Sequence, residues 1–137
     1  MWHDVARSCR VHGFPFRKPS RFPRNSVPAA RVACAVRDLP WFPEFARAVF
    51  RANFAEDRDI ADASVLSDLL AGLGQDGRAL LELARSPDKK GLLRAATETA
   101  WSLGIFGAPT FVAGEELFWG NDRLEQALAW ARTAAGR

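Results

Sequence analysis

Chemistry in this sequence is concentrated between Gly104 and Leu124, GIFGAPTFVAGEELFWGNDRL. Ala108-Pro109-Thr110 stands where a glycine-rich loop meets an apolar β-run, a setting that suits a cis X–Pro bond. Proline donates no hydrogen bond there, so the main chain of Ala108 is expected to be left as a free edge. A little further on, Asn121-Asp122-Arg123 opens a helix, and the first amides of a helix attract anions. A free backbone edge close to a helix start suits a small peptide-like ligand. The residue types alone also allow a plainer role, with Asn121 as a helix cap and Asp122 as an acid matched to the helix dipole.

Other chemistry-bearing residues are sparse. Cys9 and Cys34 lie far apart, with no Cys-x-x-Cys and no metal-ligand spacing. They read as two small buried hydrophobes, with a redox pair as the alternative. His3 and His12 are isolated and read as surface residues. The first 37 residues carry seven Arg and one Lys against the single acid Asp4, about +7, so the remainder is about −4 for a total of +3. These Arg are interleaved with Phe and Pro and form no basic run. A solvated or anion-facing wall is expected from them, and nucleic acid is not an expected partner.

The chain has 137 residues, 48% hydrophobic and 26% charged, which fits one soluble domain, 1–137. No apolar run reaches membrane-spanning length, and MWHDVARSCRVHG carries no apolar signal-peptide segment. A reducing, cytoplasmic setting is the resulting expectation.

Helical spacing predicts a short helix over 2–12 ending at Gly13 and a helix from the cap Ser26 to about Arg37. A third starts near Pro43, with Phe45, Val49 and Phe50 on one side. Asp62 or Ser64 caps a fourth, and a fifth runs from about Gly77 to Arg85. Ser86-Pro87 is expected to open a longer helix to Leu103, with Leu92, Leu93, Ala96 and Ala100 in one stripe. The period then changes. Thr110-Phe111-Val112 and Glu116-Leu117-Phe118-Trp119 predict two strands around Gly114, with Phe118 and Trp119 in the core. A last helix from Asn121 carries Leu124, Ala127, Leu128 and Ala131. A lone hairpin is marginal in water, and its only other candidate strand is a short one near Phe14 to Arg17.

Gly104-Ile105-Phe106-Gly107-Ala108-Pro109-Thr110, then Glu116 to Trp119, then Gly120-Asn121-Asp122-Arg123-Leu124 resemble the C-terminal signature of the 2-hydroxychromene-2-carboxylate isomerases. These are relatives of the kappa-class glutathione transferases and of the DsbA-type thioredoxin folds. Trp2-His3-Asp4-Val5-Ala6-Arg7 is similar to that family's Trp-x-Asp-(Leu/Val)-x-Arg helix. Gly13-Phe14-Pro15-Phe16, Phe22-Pro23-Arg24-Asn25-Ser26 and Ala30-Arg31 resemble its connecting loop. Phe50 to Phe54 and Arg58-Asp59-Ile60 resemble its helical insertion, so the similarity covers essentially the whole chain.

The resemblance implies an α/β, thioredoxin-like fold of the DsbA/kappa type, mostly α in this chain. Residues 14–103 would be a large helical insertion with its connecting loop. Residues 104–137 would be the β-hairpin and C-terminal helix. It implies glutathione as cofactor, held by Ala108 with Pro109 in cis, by Asp122 on the γ-glutamyl ammonium, and by the amides of Asn121 to Arg123 on its carboxylate. The implied reaction is glutathione-dependent isomerisation of a small aromatic carboxylate, with a homodimer as the assembly. Asn25 and Arg31 are candidate substrate contacts, helix capping being the competing role for Asn25. The family's strand–helix–strand with its Asp-Phe-x-Ser-Pro motif has no counterpart here. The chain is therefore expected to be N-terminally truncated, and no residue in it receives a catalytic role. An inactive glutathione-binding or protein-interaction fragment is the alternative.

Overall fold

The computed structural model describes residues 1–135. Eight α-helices and one hairpin follow in order: α1 Trp2–Val11, α2 Val27–Val36, α3 Phe42–Phe54, α4 Ala63–Ala71, α5 Gly77–Arg85, α6 Pro87–Lys90, α7 Leu92–Ser102, β1 Thr110–Ala113, β2 Glu116–Trp119, and α8 Leu124–Ala135 after a 3-10 turn at Asn121–Arg123. The chain forms two compact units, residues 1–93 and residues 94 onward. The described residues are mostly helical, with a small two-stranded sheet followed by a last helix.

The core of the first unit is Val32 and Val36 of α2, Phe45 of α3, Leu70 of α4 and Ala84 of α5. Phe45, Leu70 and Ala84 lie on stripes that helical spacing picks out, and Leu66 is also fully buried. The expected side of α3 is only half right. Phe45 is buried, but Phe50 is 65% exposed and stacks on Phe54. Five residues turn a helix by more than a full turn, which carries Phe50 off the face of Phe45. α1 buries none of its residues fully. It is held through Trp2, which meets Phe22 edge-on at 4.8 Å and stacks with Phe16 at 6.2 Å.

The caps differ from expectation in detail. Asp62 caps α4 by accepting from the Ser64 amide at 2.8 Å. Ser26 holds the cap position of α2 but makes no side-chain capping bond; Asn25 Oδ1 accepts from the Val27 amide instead, at 3.1 Å. Ser86 likewise stands at the start of α6 without capping it, and its hydroxyl is buried without a partner. The single helix expected from Ser86 to Leu103 is divided, because Gly91 ends α6 and α7 begins at Leu92. Helix α7 has no fully buried residue. Phe14 to Arg17 forms no strand; this extended segment is tied down by the Arg17 amide donating to the Phe54 carbonyl at 2.7 Å.

In the second unit β1 and β2 pair antiparallel, from Thr110 opposite Trp119 to Ala113 opposite Glu116, and the hairpin packs on α8. Among its described residues, Ala113 and Ala127 are buried. Of the stripe expected on α8, Ala127 is buried while Leu128 is exposed.

Candidate functional site

The loop that precedes β1 and the turn that follows β2 are brought together by the hairpin register. Thr110 opposite Trp119 is the last rung, so Pro109 and Gly120 lie just beyond it on the two strands. The Gly120 amide donates to the Pro109 carbonyl at 2.9 Å and extends the ladder by one bond. The Ala108–Pro109 bond is cis, and both residues are exposed. Thr110 Oγ1 donates back to the Gly107 carbonyl at 2.6 Å, which tightens the loop.

Two glycines set the shape of this corner. A Cβ on Gly107 would collide with the indole of Trp119, so the ring lies flat against the loop only because position 107 has no side chain. Trp119 is therefore not the core residue the sequence suggests: it is 56% exposed, with Phe106 at 5.1 Å between ring centroids. Gly120 adopts φ +112°, which side chains rarely adopt, and a Cβ there would stand 2.5 Å from Asp122 Oδ1. The Asp122 carboxylate thus occupies the space above the Gly120 backbone, beside the bond to Pro109.

Asn121 to Arg123 form a 3-10 turn that leads into α8. The Arg123 amide donates to the Gly120 carbonyl at 3.1 Å, so it is spent inside the turn. The amides of Asn121 and Asp122 come first and have no acceptor within the helix. Asn121 makes no capping bond; Gly120 occupies the cap position. Arg123 donates to Gln126 Oε1 at 3.2 Å. Among the described residues Asp122 makes no ion pair. The corner thus offers an exposed carboxylate, two helix-start amides and an exposed main-chain segment at Ala108.

Asn25 and Arg31 lie in the other unit. Asn25 spends its side-chain oxygen on the α2 start, and Arg31 lines a small cavity of about 90 Å3 with Val32, Leu81, Ala84 and Arg85. Asn25 is not among the residues that line it. Arg24, another basic residue of that stretch, is buried in an ion pair with Asp57, so its charge is already matched and is not available to an anionic substrate. The partners are 33 residues apart, so no local sequence pattern links them. Cys9 and Cys34 are both free and half-buried. Among the described residues no cluster of His, Cys, Asp and Glu is suited to a metal, and no helix is long and apolar enough to cross a membrane.

The DSBA-like thioredoxin domain family matches residues 1–129. The chain is 30% identical over 125 residues to the 2-hydroxychromene-2-carboxylate isomerase of Sphingobium xenophagum, covering 91% of this chain and 63% of that protein. It is also 30% identical over 140 residues to glutathione S-transferase kappa 2 of Caenorhabditis elegans, covering 92% of this chain and 62% of that one. The chain thus spans less than two thirds of the length of the curated relatives it matches. Among solved structures, a 2-hydroxychromene-2-carboxylate isomerase superposes with a TM-score of 0.80 at 24% identity, covering 96% of this chain and 64% of the other. The cytosolic disulfide reductase DsbM of Pseudomonas aeruginosa superposes with a TM-score of 0.68 at 23% identity, covering 99% and 73%. With a family match that runs nearly end to end and a hairpin, turn and helix that carry its C-terminal part, this chain belongs to the DSBA-like thioredoxin domain family.

Proposed function

We propose that this chain is the glutathione-holding portion of a cytoplasmic isomerase of the 2-hydroxychromene-2-carboxylate type, acting on a small aromatic carboxylate. The observation that carries the reading is the bond from the Gly120 amide to the Pro109 carbonyl, with Asp122 above it. It gathers a carboxylate, helix-start amides and an exposed backbone edge into one corner. The 30% identity to an isomerase and to a kappa transferase supports the choice of ligand.

The corner fits the ends of glutathione. Asp122 would pair with the γ-glutamyl ammonium, and the amides of Asn121 and Asp122 would take the adjoining carboxylate. Arg123 would contribute through its position in the turn, its own amide being spent. The main chain of Ala108, before Pro109, would pair with the cysteinyl backbone as a short β-like contact. Glutathione supplies, when bound, a thiolate nucleophile for reversible addition to the substrate. The chain's own residues hold and orient; none of them is assigned a proton transfer. In this reading the serine that steadies the thiolate belongs to the family's strand–helix–strand, which has no counterpart in these residues, and Asn25 and Arg31 remain candidate contacts for the substrate.

A second reading, an inactive glutathione-binding or protein-interaction fragment, draws on the small sheet with its exposed Trp119 and on the exposed Phe106 of the loop before it. One experiment separates the two. The chain is titrated with glutathione by calorimetry, and turnover of 2-hydroxychromene-2-carboxylate is assayed with the upstream strand–helix–strand joined to it. Binding together with thiol-dependent turnover is expected. A folded, joined protein that binds glutathione and turns nothing over would sink the isomerase reading. Absence of binding at millimolar glutathione would sink both glutathione readings.

A further inference from the structure

A cavity of about 480 Å3 lies within residues 22–60, in the unit that holds none of the residues from Ala108 to Arg123. Its size is that of a small-molecule site, roughly 300–1,000 Å3. The sequence explains why it is open. Ala29, Ala30 and Ala33 of α2 face Ala46 of α3 across it, and four methyl groups cannot fill what larger side chains would. Phe45, Val49 and Ile60 add to an almost wholly apolar wall.

Two buried polar side chains border this wall. Arg24 is 5% exposed at its side chain. Its terminal nitrogens donate to Asn53 Oδ1 at 2.9 Å, to the Arg58 carbonyl at 2.9 Å and to Asp57. Its Nε is buried with no acceptor. A buried donor left unpaired is costly, so an acceptor brought to it is favoured. Asn53, also buried, has committed its carbonyl oxygen to Arg24, so what it can offer a ligand is its amide N–H2. The Arg24 charge is already matched by Asp57. An anion in the cavity would compete with that carboxylate and be desolvated against an apolar wall, so the site selects against charge.

We propose that this cavity binds an uncharged, rigid, mostly hydrocarbon molecule of two fused rings that carries an acceptor oxygen. The acceptor meets the Arg24–Asn53 edge and the rings fill the space between α2 and α3. The site is independent of the glutathione reading, and its test needs no thiol.

The probe is N-phenyl-1-naphthylamine, a neutral dye that fluoresces in apolar surroundings, displaced by coumarin or by naphthalene. The two competitors have similar ring systems, and only coumarin carries acceptor oxygens. Saturable binding of one dye per chain is expected, with coumarin displacing it at about fivefold to tenfold lower concentration than naphthalene, the effect of one neutral hydrogen bond. Ala46→Phe fills the cavity and should weaken dye binding at least about tenfold with the melting transition retained. Should that variant not fold, Ala33→Leu serves the same purpose. Coumarin should shift amide resonances of residues 22–60 in nuclear magnetic resonance spectra. Dye binding unchanged in a folded filled variant, shifts confined to other residues, or no saturable binding would each overturn the site. Equal potency of naphthalene and coumarin would overturn its acceptor-reading edge. A dimer that Ala46→Phe splits would overturn the small-molecule assignment, because the groove would then belong to a second copy.

Discussion

Arg24 and Asp57 close a buried ion pair that fastens the loop after Pro23 to the chain just past α3. Asp57 adopts φ +56°, a left-handed conformation that Asp tolerates better than most residues, and it is only 11% exposed at its side chain. The same carboxylate accepts from the Ser20 amide at 2.9 Å and the Ser20 hydroxyl at 3.0 Å. One acid therefore organises two points of the loop, and one arginine ties α3, through Asn53, to the turn that follows it.

Removal of the arginine should be severe. Arg24→Ala leaves the Asn53 oxygen, two carbonyls and Asp57 without their donor. Breaking a buried pair from one side costs about 3–5 kcal/mol. A urea titration should show a correspondingly lower midpoint, and Arg24→Lys should rescue little because an ammonium lacks the planar fork. A loss under 1 kcal/mol would mean the network contributes little to folding.

Acid sensitivity follows from the partner. The Ser20 amide, then the Arg24 guanidinium, lower the Asp57 pKa from 3.8 to about 2. The folded value is below the unfolded one, so its stabilisation is fully present above about pH 4 and is lost as pH falls toward 2. The Ser64 amide lowers Asp62 in the same direction, and Arg7 lowers Asp4. Urea midpoints should be flat from pH 7 to 5 with respect to these groups, then fall below pH 4. Asp57→Asn should start lower at pH 7 and fall less steeply. Parallel slopes for the two proteins would remove Asp57 from the account.

Much of this architecture is legible in residue order. Phe45, Leu70 and Ala84 stand on helical stripes, and the change of period at Thr110 announces the hairpin. The corner at Ala108 to Arg123 is readable because its parts lie close together in sequence and Gly107 and Gly120 mark tight backbone. The Arg24–Asp57 pair and the α2–α3 cavity are not readable in that way. Both depend on which residues meet across tens of positions, and a cavity is a property of what two facing stripes fail to fill. Trp119 misleads for the same reason: a large apolar residue in a strand is expected in the core, yet the indole lies against Gly107 across the loop.

The sheet edges give a prediction about association. Two strands leave outward-facing backbone groups on both sides, and exposed edges recruit other strands. Val112 on β1 is exposed. Sedimentation should show concentration-dependent dimers or larger species, and Val112→Lys should shift the distribution toward monomer by placing a charge on the edge. A monomer at all concentrations, with a cooperative melt, would contradict the idea that this edge is sticky.

The corner proposed for glutathione predicts an ordering among substitutions that a merely structural role would not produce. Asp122→Asn keeps the shape above Gly120 but removes the charge proposed for the γ-glutamyl ammonium. Glutathione affinity should fall about tenfold, equivalent to about 1.4 kcal/mol, with the melt unchanged. Gly120→Ala should lose both properties. Its Cβ would approach Asp122 Oδ1 to 2.5 Å at φ +112°, so the Pro109 bond and the carboxylate position are disturbed together. Removing the γ-glutamyl residue from the ligand separates the ends: cysteinylglycine lacks the γ-glutamyl group that Asp122 would hold. It should bind the native chain and Asp122→Asn equally weakly, whereas intact glutathione should distinguish them. Calorimetry with both thiols on the three proteins checks the ordering, and equal affinity of glutathione for the native chain and Asp122→Asn would remove Asp122 from the site.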